Sequence, residues 1–337
     1  MLEKMKFNRI LLIAAAFALA ASSSCKKDDD DDTYSDYMSG TLTFSAVDGF
    51  LDREETVTLT PSGITEPECV GYYWYTSWDS TKDTTRVENG SGDGTFTVKV
   101  PYDLGEYKIN CVAFADGYYT SSASTSFYVV SSELNTTVKN ANLNKDSYLQ
   151  EDARDGRSYY CTKTSPRWFK SNLAYSGSGV SYYNSPVMDM IVGKFYSWEE
   201  AVKACPEGWR LPNDSDFAAL ASQVAGDGSE FKVHEDFKDV AGGFMVDATF
   251  LDEKLWEFWP QVKITNSTGL CVMPFGYCVD AGSTRFLGFE EYAAFWTADE
   301  EGENAFYRYI YYDKNDVLIG KGNKESFRAS VRCVRDI

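Results

Sequence analysis

Hydrophobic and polar positions change rhythm several times along this chain. Residues 10–21, ILLIAAAFALAA, are continuously apolar, sit behind the bases Lys4, Lys6 and Arg9, and run through SSS into Cys25. That apolar core is shorter than the roughly 18 to 20 residues needed to span a bilayer, so residues 1–24 are expected to be a secretory signal. From 34 to 132 the period is two. TLTF at Thr41, TVTLT at Thr56, YYWYTSW at Tyr72, TFTVKV at Thr95, YKINCVAF at Tyr107 and SFYVV at Ser126 read as strands rich in β-branched and aromatic residues. In TFTVKV, Phe96, Val98 and Val100 share one face while Thr95, Thr97 and Lys99 share the other. So many short strands in so short a stretch predict a β-sandwich. Residues 133–151 are polar without a sustained period and read as a linker. A helical rhythm begins at Ser197, which forms a capping box with Glu200 and is followed by Trp198, Ala201, Val202 and Cys205 along one stripe. Pro206 stops that helix. A second is expected from Asn213 or Asp214, burying Phe217, Leu220 and Val224 and ending at the GDG of 226–228.

A chain of 337 residues is long enough for about two domains. Apolar residues at 43% and aromatics at 15% supply material for two cores, and the formal charge of −19 disfavours a phosphate backbone as partner. No nucleic acid is expected.

Beyond Cys25 there are Cys69, Cys111, Cys161, Cys205, Cys271, Cys278 and Cys333, in a chain whose leader sends it where disulfides persist. No CxxC spacing occurs and His234 is the single histidine, so neither a metal nor a cofactor is expected. Cys205 ends a helix, where the dipole raises a thiol pKa, whereas a reactive thiol needs a lowered one. Its natural partner is Cys333, which shares one strand face with Val331 and Arg335; closing so long a loop is worth about 4 to 5 kcal/mol as an upper figure. Cys69 and Cys111 are a candidate pair between neighbouring strands. Cys161, Cys271 and Cys278 leave one thiol over.

The small residues before Cys25 resemble a lipoprotein lipobox, with Ser22 where that pattern prefers an aliphatic, and CKKDDDDD resembles the export signal of Bacteroidetes surface lipoproteins. The resemblance implies a lipid on Cys25, an acidic tether over 25–33, and an outer-membrane location facing the cell exterior. Trp74 and DLGEYKINC resemble an immunoglobulin-like module of the PKD type, although Tyr107 precedes Cys111 by four residues. RWFKSNLAY from Arg167, GKFYSWEEAVKACPEGWRLPNDSDFAAL from Gly193, NSTGLCVMPFGY from Asn266, FWT from Phe295 and FRASVRCVRD from Phe327 together resemble the Fibrobacter succinogenes major paralogous domain. That family is similar to the C-type-lectin-like fold, in which the helix-end cysteine pairs with the final strand. The resemblance therefore also implies Cys205 with Cys333, and a core position for Trp198, Trp209 and Trp296. The expected architecture is multidomain: an all-β immunoglobulin-like sandwich over 34–132, then an α+β C-type-lectin-like domain over 152–337.

The Glu-Pro-Asn, Gln-Pro-Asp and Trp-Asn-Asp triplets of calcium-dependent lectins do not occur. WRLPNDSDFAALA resembles a segment of formylglycine-generating enzymes, yet only Cys271 and Cys278 imitate their cysteine pair. His234 lies in the charged KVHEDFKD and reads as a surface residue. An enzyme is not expected. The expectation is a binding or adhesion lipoprotein whose sandwich is a stalk and whose C-terminal domain presents a glycan or protein ligand site. Trp256 and Trp259, with Glu257 and Gln261 beside them, are the candidate contacts, with burial in the core as the competing reading. A structural subunit of a surface or fimbria-like assembly is the alternative function.

Overall fold

The computed structural model describes residues 36–68, 70–78, 85–87, 94–256, 262–280 and 282–336. The signal, Cys25 and the tether lie outside them. No helix among the described residues is long and apolar enough to cross a membrane. The chain divides into two compact units at Ser131 and Ser132.

The first unit is built from β1 (Ser39–Phe44), β2 (Phe50–Asp52), β3 (Thr56–Leu59), β4 (Pro61–Glu66), β5 (Gly71–Thr76), β6 (Thr85–Val87), β7 (Phe96–Lys99), β8 (Gly105–Phe114) and β9 (Ser121–Val130). Five of these form one sheet in the order β2-β9-β8-β5-β6, and β1 pairs with β4 and β3 with β7. Leu42, Leu59 and Phe96 from the paired strands pack with Trp74, Ile109, Cys111 and Phe127 from the sheet in one buried cluster. This is the sandwich that the alternation predicts. Phe96 and Val100 are buried while Thr97 and Lys99 are exposed, which is the expected phase. Trp74 stands opposite Cys111 across β5 and β8, both without exposed surface. The Trp74 indole donates to Gly94 O, so the one polar atom of a buried ring is satisfied.

The stretch expected as a linker is folded instead, as part of the second unit. Ser147–Glu151 pairs with Ser158–Thr162, Val138–Lys139 pairs with Thr249–Phe250, and Leu134, Val138, Ala141 and Leu143 are buried. These few apolar residues are too sparse among polar neighbours to show a period.

The centre of the second unit is a sheet of β11 (Phe275–Asp280), β12 (Thr284–Phe289), β13 (Tyr292–Glu301), β14 (Asn304–Tyr311) and β15 (Leu318–Asn323) in the order β12-β11-β13-β14-β15. Strand β16 (Phe327–Arg328) adds to β11. β10 (Arg167–Trp168) pairs separately with β17 (Val334–Arg335). Strand alternation sorts β13 onto two cores: Ala293 and Phe295 join one that includes Trp168, Phe217 and Ile310, whereas Ala294 and Trp296 join another with Tyr159, Phe169 and Ala201. Helix α1 (Trp198–Ala204) carries the expected capping box, and α2 (Asp214–Ala225) carries a second one between Asn213 and Asp216. In α1 the buried face is Ala201 and Ala204, with Trp198 partly buried and Val202 left exposed, so the stripe is narrower than its spacing suggested. Trp209 and Trp296 are core.

Two arginines are buried in this unit. Arg308 is paired with Asp214. Arg332 donates instead to Asn172 Oδ1 at 2.7 Å, Leu270 O at 2.6 Å and Phe169 O at 3.2 Å, and burial pushes its guanidinium down to about 9.

Candidate functional site

Cys205 lies one residue beyond α1 and is bonded to Cys333, with their Cα atoms 5.7 Å apart. The same helix end is held a second way. Arg154 donates to Ala204 O at 2.6 Å while its guanidinium makes a bidentate pair with Asp152 at 2.8 and 2.6 Å. A carbonyl freed by the helix terminus thus gains a charged donor. Cys205 is a structural residue. Burial pushes the Cys111 and Cys161 thiols up to about 12 and Cys278 up to about 11, which keeps all three protonated at neutral pH. Cys271 is also buried and free. Cys111 is a free thiol, and its expected partner Cys69 lies outside the described residues.

Trp256 is not a surface contact. It is 5% exposed, packs in the cluster around Phe217 and Phe295, and its indole nitrogen donates to Val272 O at 3.1 Å. A ring whose polar atom is already bonded inside the core has nothing left to offer a ligand. Glu257, Trp259 and Gln261 lie outside the described residues. His234 stacks on Phe306 at 4.0 Å with its Nε2 3.6 Å from Asp299, and its imidazole is 38% exposed. Among the described residues no group of three or more His, Cys, Asp or Glu side chains is arranged to hold a metal ion.

An open cleft of about 570 Å³ lies beside α1, lined by Tyr175, Ser178, Ser197, Glu199, Glu200, Lys203, Lys324, Glu325 and Arg328. Its frame follows from the capping box. Ser197 Oγ accepts from Glu200 N, and Glu200 Oε2 accepts from Ser197 N at 2.9 Å. The same oxygen accepts from Arg328 at 2.7 Å, tying the helix start to β16. Burial raises the Glu200 carboxyl, but the Ser197 amide and Arg328 outweigh it and hold the group below the usual carboxylate range. Lys324 lies 4.6 Å above the Trp198 ring and pairs with Glu300. Arg154 covers one side of the Tyr175 ring at 3.8 Å. Glu199, Lys203 and Glu325 are exposed and form no ion pair among the described residues. The cleft therefore offers unspent charge of both signs and three side-chain hydroxyls, one of them on an aromatic ring, on a frame held by the capping box and the Glu200 to Arg328 pair. Charge runs and triplet motifs did not point to it, because its walls come from residues near 175, 200 and 325; only Ser197 and Glu200 carried a local signal.

No curated protein matches the chain. The family model described as the Fibrobacter succinogenes major domain matches residues 128–335. Its span takes in the folded stretch before residue 152, both helices, the cysteine clasp and every wall of the cleft. The chain belongs to the Fibrobacter succinogenes major domain family.

Proposed function

We propose that this protein is a non-enzymatic, lipid-anchored binding protein of the cell surface, with the β-sandwich as a stalk and the C-terminal unit as a C-type-lectin-like head that captures a glycan or protein ligand. The observation that carries the reading is the cleft, where Glu199, Lys203 and Glu325 stand unpaired beside Tyr175 on a frame fixed by the Glu200 to Arg328 pair. A frame held by the capping box and the ion pair, with charges of both signs beside an aromatic ring in a concave site, suits recognition of a polar ligand. Family membership and the protonated thiols support the same reading, and the lipobox-like residues before Cys25 supply the anchor.

The test is capture by the soluble protein on glycan and surface-protein arrays, with a Lys203→Glu, Glu325→Lys double variant alongside. Ligand capture that the charge reversal weakens about tenfold or more supports the proposal. Absence of any captured ligand, or release of turned-over product, sinks it. Protease shaving of intact cells, compared with a Cys25→Ala strain, tests the display.

A further inference from the structure

The charges of the cleft do not balance. Lys324 pairs with Glu300, and Arg328 with Glu200 and, at 3.8 Å, with Asp280, so both of these cations are matched. Left over are two exposed carboxylates, Glu199 and Glu325, against one ammonium, Lys203. Glu199 and Lys203 stand four residues apart on α1 without forming an ion pair, and exposed pairs at that spacing are too weak to commit either group. The aromatic faces at the cleft, in contrast, are taken. Arg154 lies 3.8 Å over the Tyr175 ring and a Cβ on Gly177 would sit 2.6 Å from that ring, while Lys324 covers the Trp198 ring at 4.6 Å; both rings also pack against the core. A sugar that stacks through its C–H face finds no open ring here. What the cleft presents is carboxylate in excess, with the hydroxyls of Tyr175 and Ser178 beside it.

We propose that the cleft captures a lysine- or arginine-bearing segment of a partner protein. The inference rests on the reading of the C-terminal unit as a binding head, and it names the ligand class for that same cleft. An ammonium or guanidinium entering beside Glu199 and Glu325 gains charge-assisted hydrogen bonds that neither carboxylate makes among the described residues, while the hydroxyls serve the peptide groups next to it. A cleft of about 570 Å³ suits a few side chains of an extended segment rather than a folded surface. The formal charge of −19 acts in the same direction at long range, speeding encounter with basic partners and repelling acidic ones. Glycans are in the main neutral or acidic, so the sign of the surplus favours a peptide over a sugar. Lys203 opposes a basic occupant; its neutralisation therefore tightens binding of a basic segment and would loosen binding of an acidic one.

The experiment is fluorescence anisotropy of a labelled peptide of alternating lysine and glycine, titrated with the soluble, disulfide-intact protein, beside its glutamate counterpart and a labelled chitosan oligomer as a cationic sugar. The expected result is binding of the lysine peptide that weakens as salt is raised, and none of the glutamate peptide. Glu199→Gln and Glu325→Gln should each weaken binding roughly threefold, and Lys203→Gln should tighten it roughly twofold. Glu106→Gln combined with Glu230→Gln, which removes two exposed carboxylates outside the cleft, should change it less than either cleft substitution. An unchanged melting midpoint reports that each variant is folded. No binding of the lysine peptide, equal loss in the control pair and the cleft variants, looser binding in Lys203→Gln, or binding of the chitosan oligomer in place of the peptide overturns the inference. If array capture sensitive to the Lys203 and Glu325 reversal persists in that case, only this inference falls; if capture is absent as well, the binding-head reading falls with it.

Discussion

Arg308 and Asp214 meet inside the C-terminal unit with Nε 2.5 Å from Oδ1 and Nη2 2.7 Å from Oδ2, and their side chains are 1% and 0% exposed. Asp214 also accepts from His234 N, and Arg308 also donates to Glu235 O and lies over the Phe237 ring. The pair therefore staples the first turn of α2 to β14 and to the loop before Phe237. Removing one partner leaves the other charged and dry. Asp214→Asn should cost about 3 to 5 kcal/mol in urea unfolding, while Asp214→Leu with Arg308→Met should recover much of that loss. Equal loss in single and double variants would contradict the account.

The Cys205 to Cys333 bond closes a separation of 128 residues. On the chain-entropy account such a loop contributes about 4 to 5 kcal/mol by restricting the unfolded chain. Replacing both cysteines by Ala should lower the calorimetric midpoint strongly, and reduction of the parent should do the same. A midpoint that ignores reduction would show that the Arg154 clamp alone holds the helix end.

The free thiols Cys111, Cys161 and Cys278, held protonated by burial, should not react with Ellman's reagent in the native protein at neutral pH. They should all become reactive in urea. Rapid native labelling mapped to any of the three by mass spectrometry would overturn this.

Asp152 is pulled both ways: burial raises its carboxyl, but hydrogen bonds from Arg154 win and leave it below the ordinary value. Glu200 is lowered in the same manner. A carboxylate depressed by folding contributes stability that is fully present above its unfolded pKa of about 4 and is lost as pH falls through the folded value. The melting midpoint at constant ionic strength should therefore be flat with respect to these groups between pH 7 and 5 and fall below about 4. Asp152→Asn should make the acid limb shallower.

Trp256→Ala should destabilise the C-terminal unit by about 3 to 5 kcal/mol, the usual cost of emptying a buried aromatic site. Ligand capture measured well below the midpoint should be unchanged. Lost capture at full folding would return Trp256 to the contact surface.

Local signals were readable where one short segment contains its own partner. Ser197 and Glu200 cap each other three residues apart, and the alternation of Phe96, Val98 and Val100 needs no knowledge of the rest of the chain. Trp256 was ambiguous because its segment has no period and its acceptor, Val272, lies 16 residues away. The stripe on α1 was drawn too wide at Val202, since a seven-residue helix on a sheet needs only one small-residue face. The buried Arg308 stands between two tyrosines in the sequence, and its partner Asp214 lies 94 residues away, so no local pattern marks the pair. The cluster of Tyr277, Tyr292, Tyr307, Tyr309 and Phe327 draws on four strands, and nothing in YRYIYY says that Gly320 and Gly322 on the next strand leave room for it.

The final strand enters late and deep. Val334 pairs with Trp168 and bridges to Arg210, Leu173 donates to Val331 O, Phe169 donates to Cys333 O, and Val331, Cys333 and Val334 have no exposed surface. The middle of this unit is thus assembled around the strand that stands furthest along its own sequence. Such a topology postpones closure until nearly the whole unit has been synthesised, favouring a single slow, all-at-once collapse over stepwise folding from the N-terminal side. Under the export proposed above, a chain unable to fold prematurely has an advantage in transit.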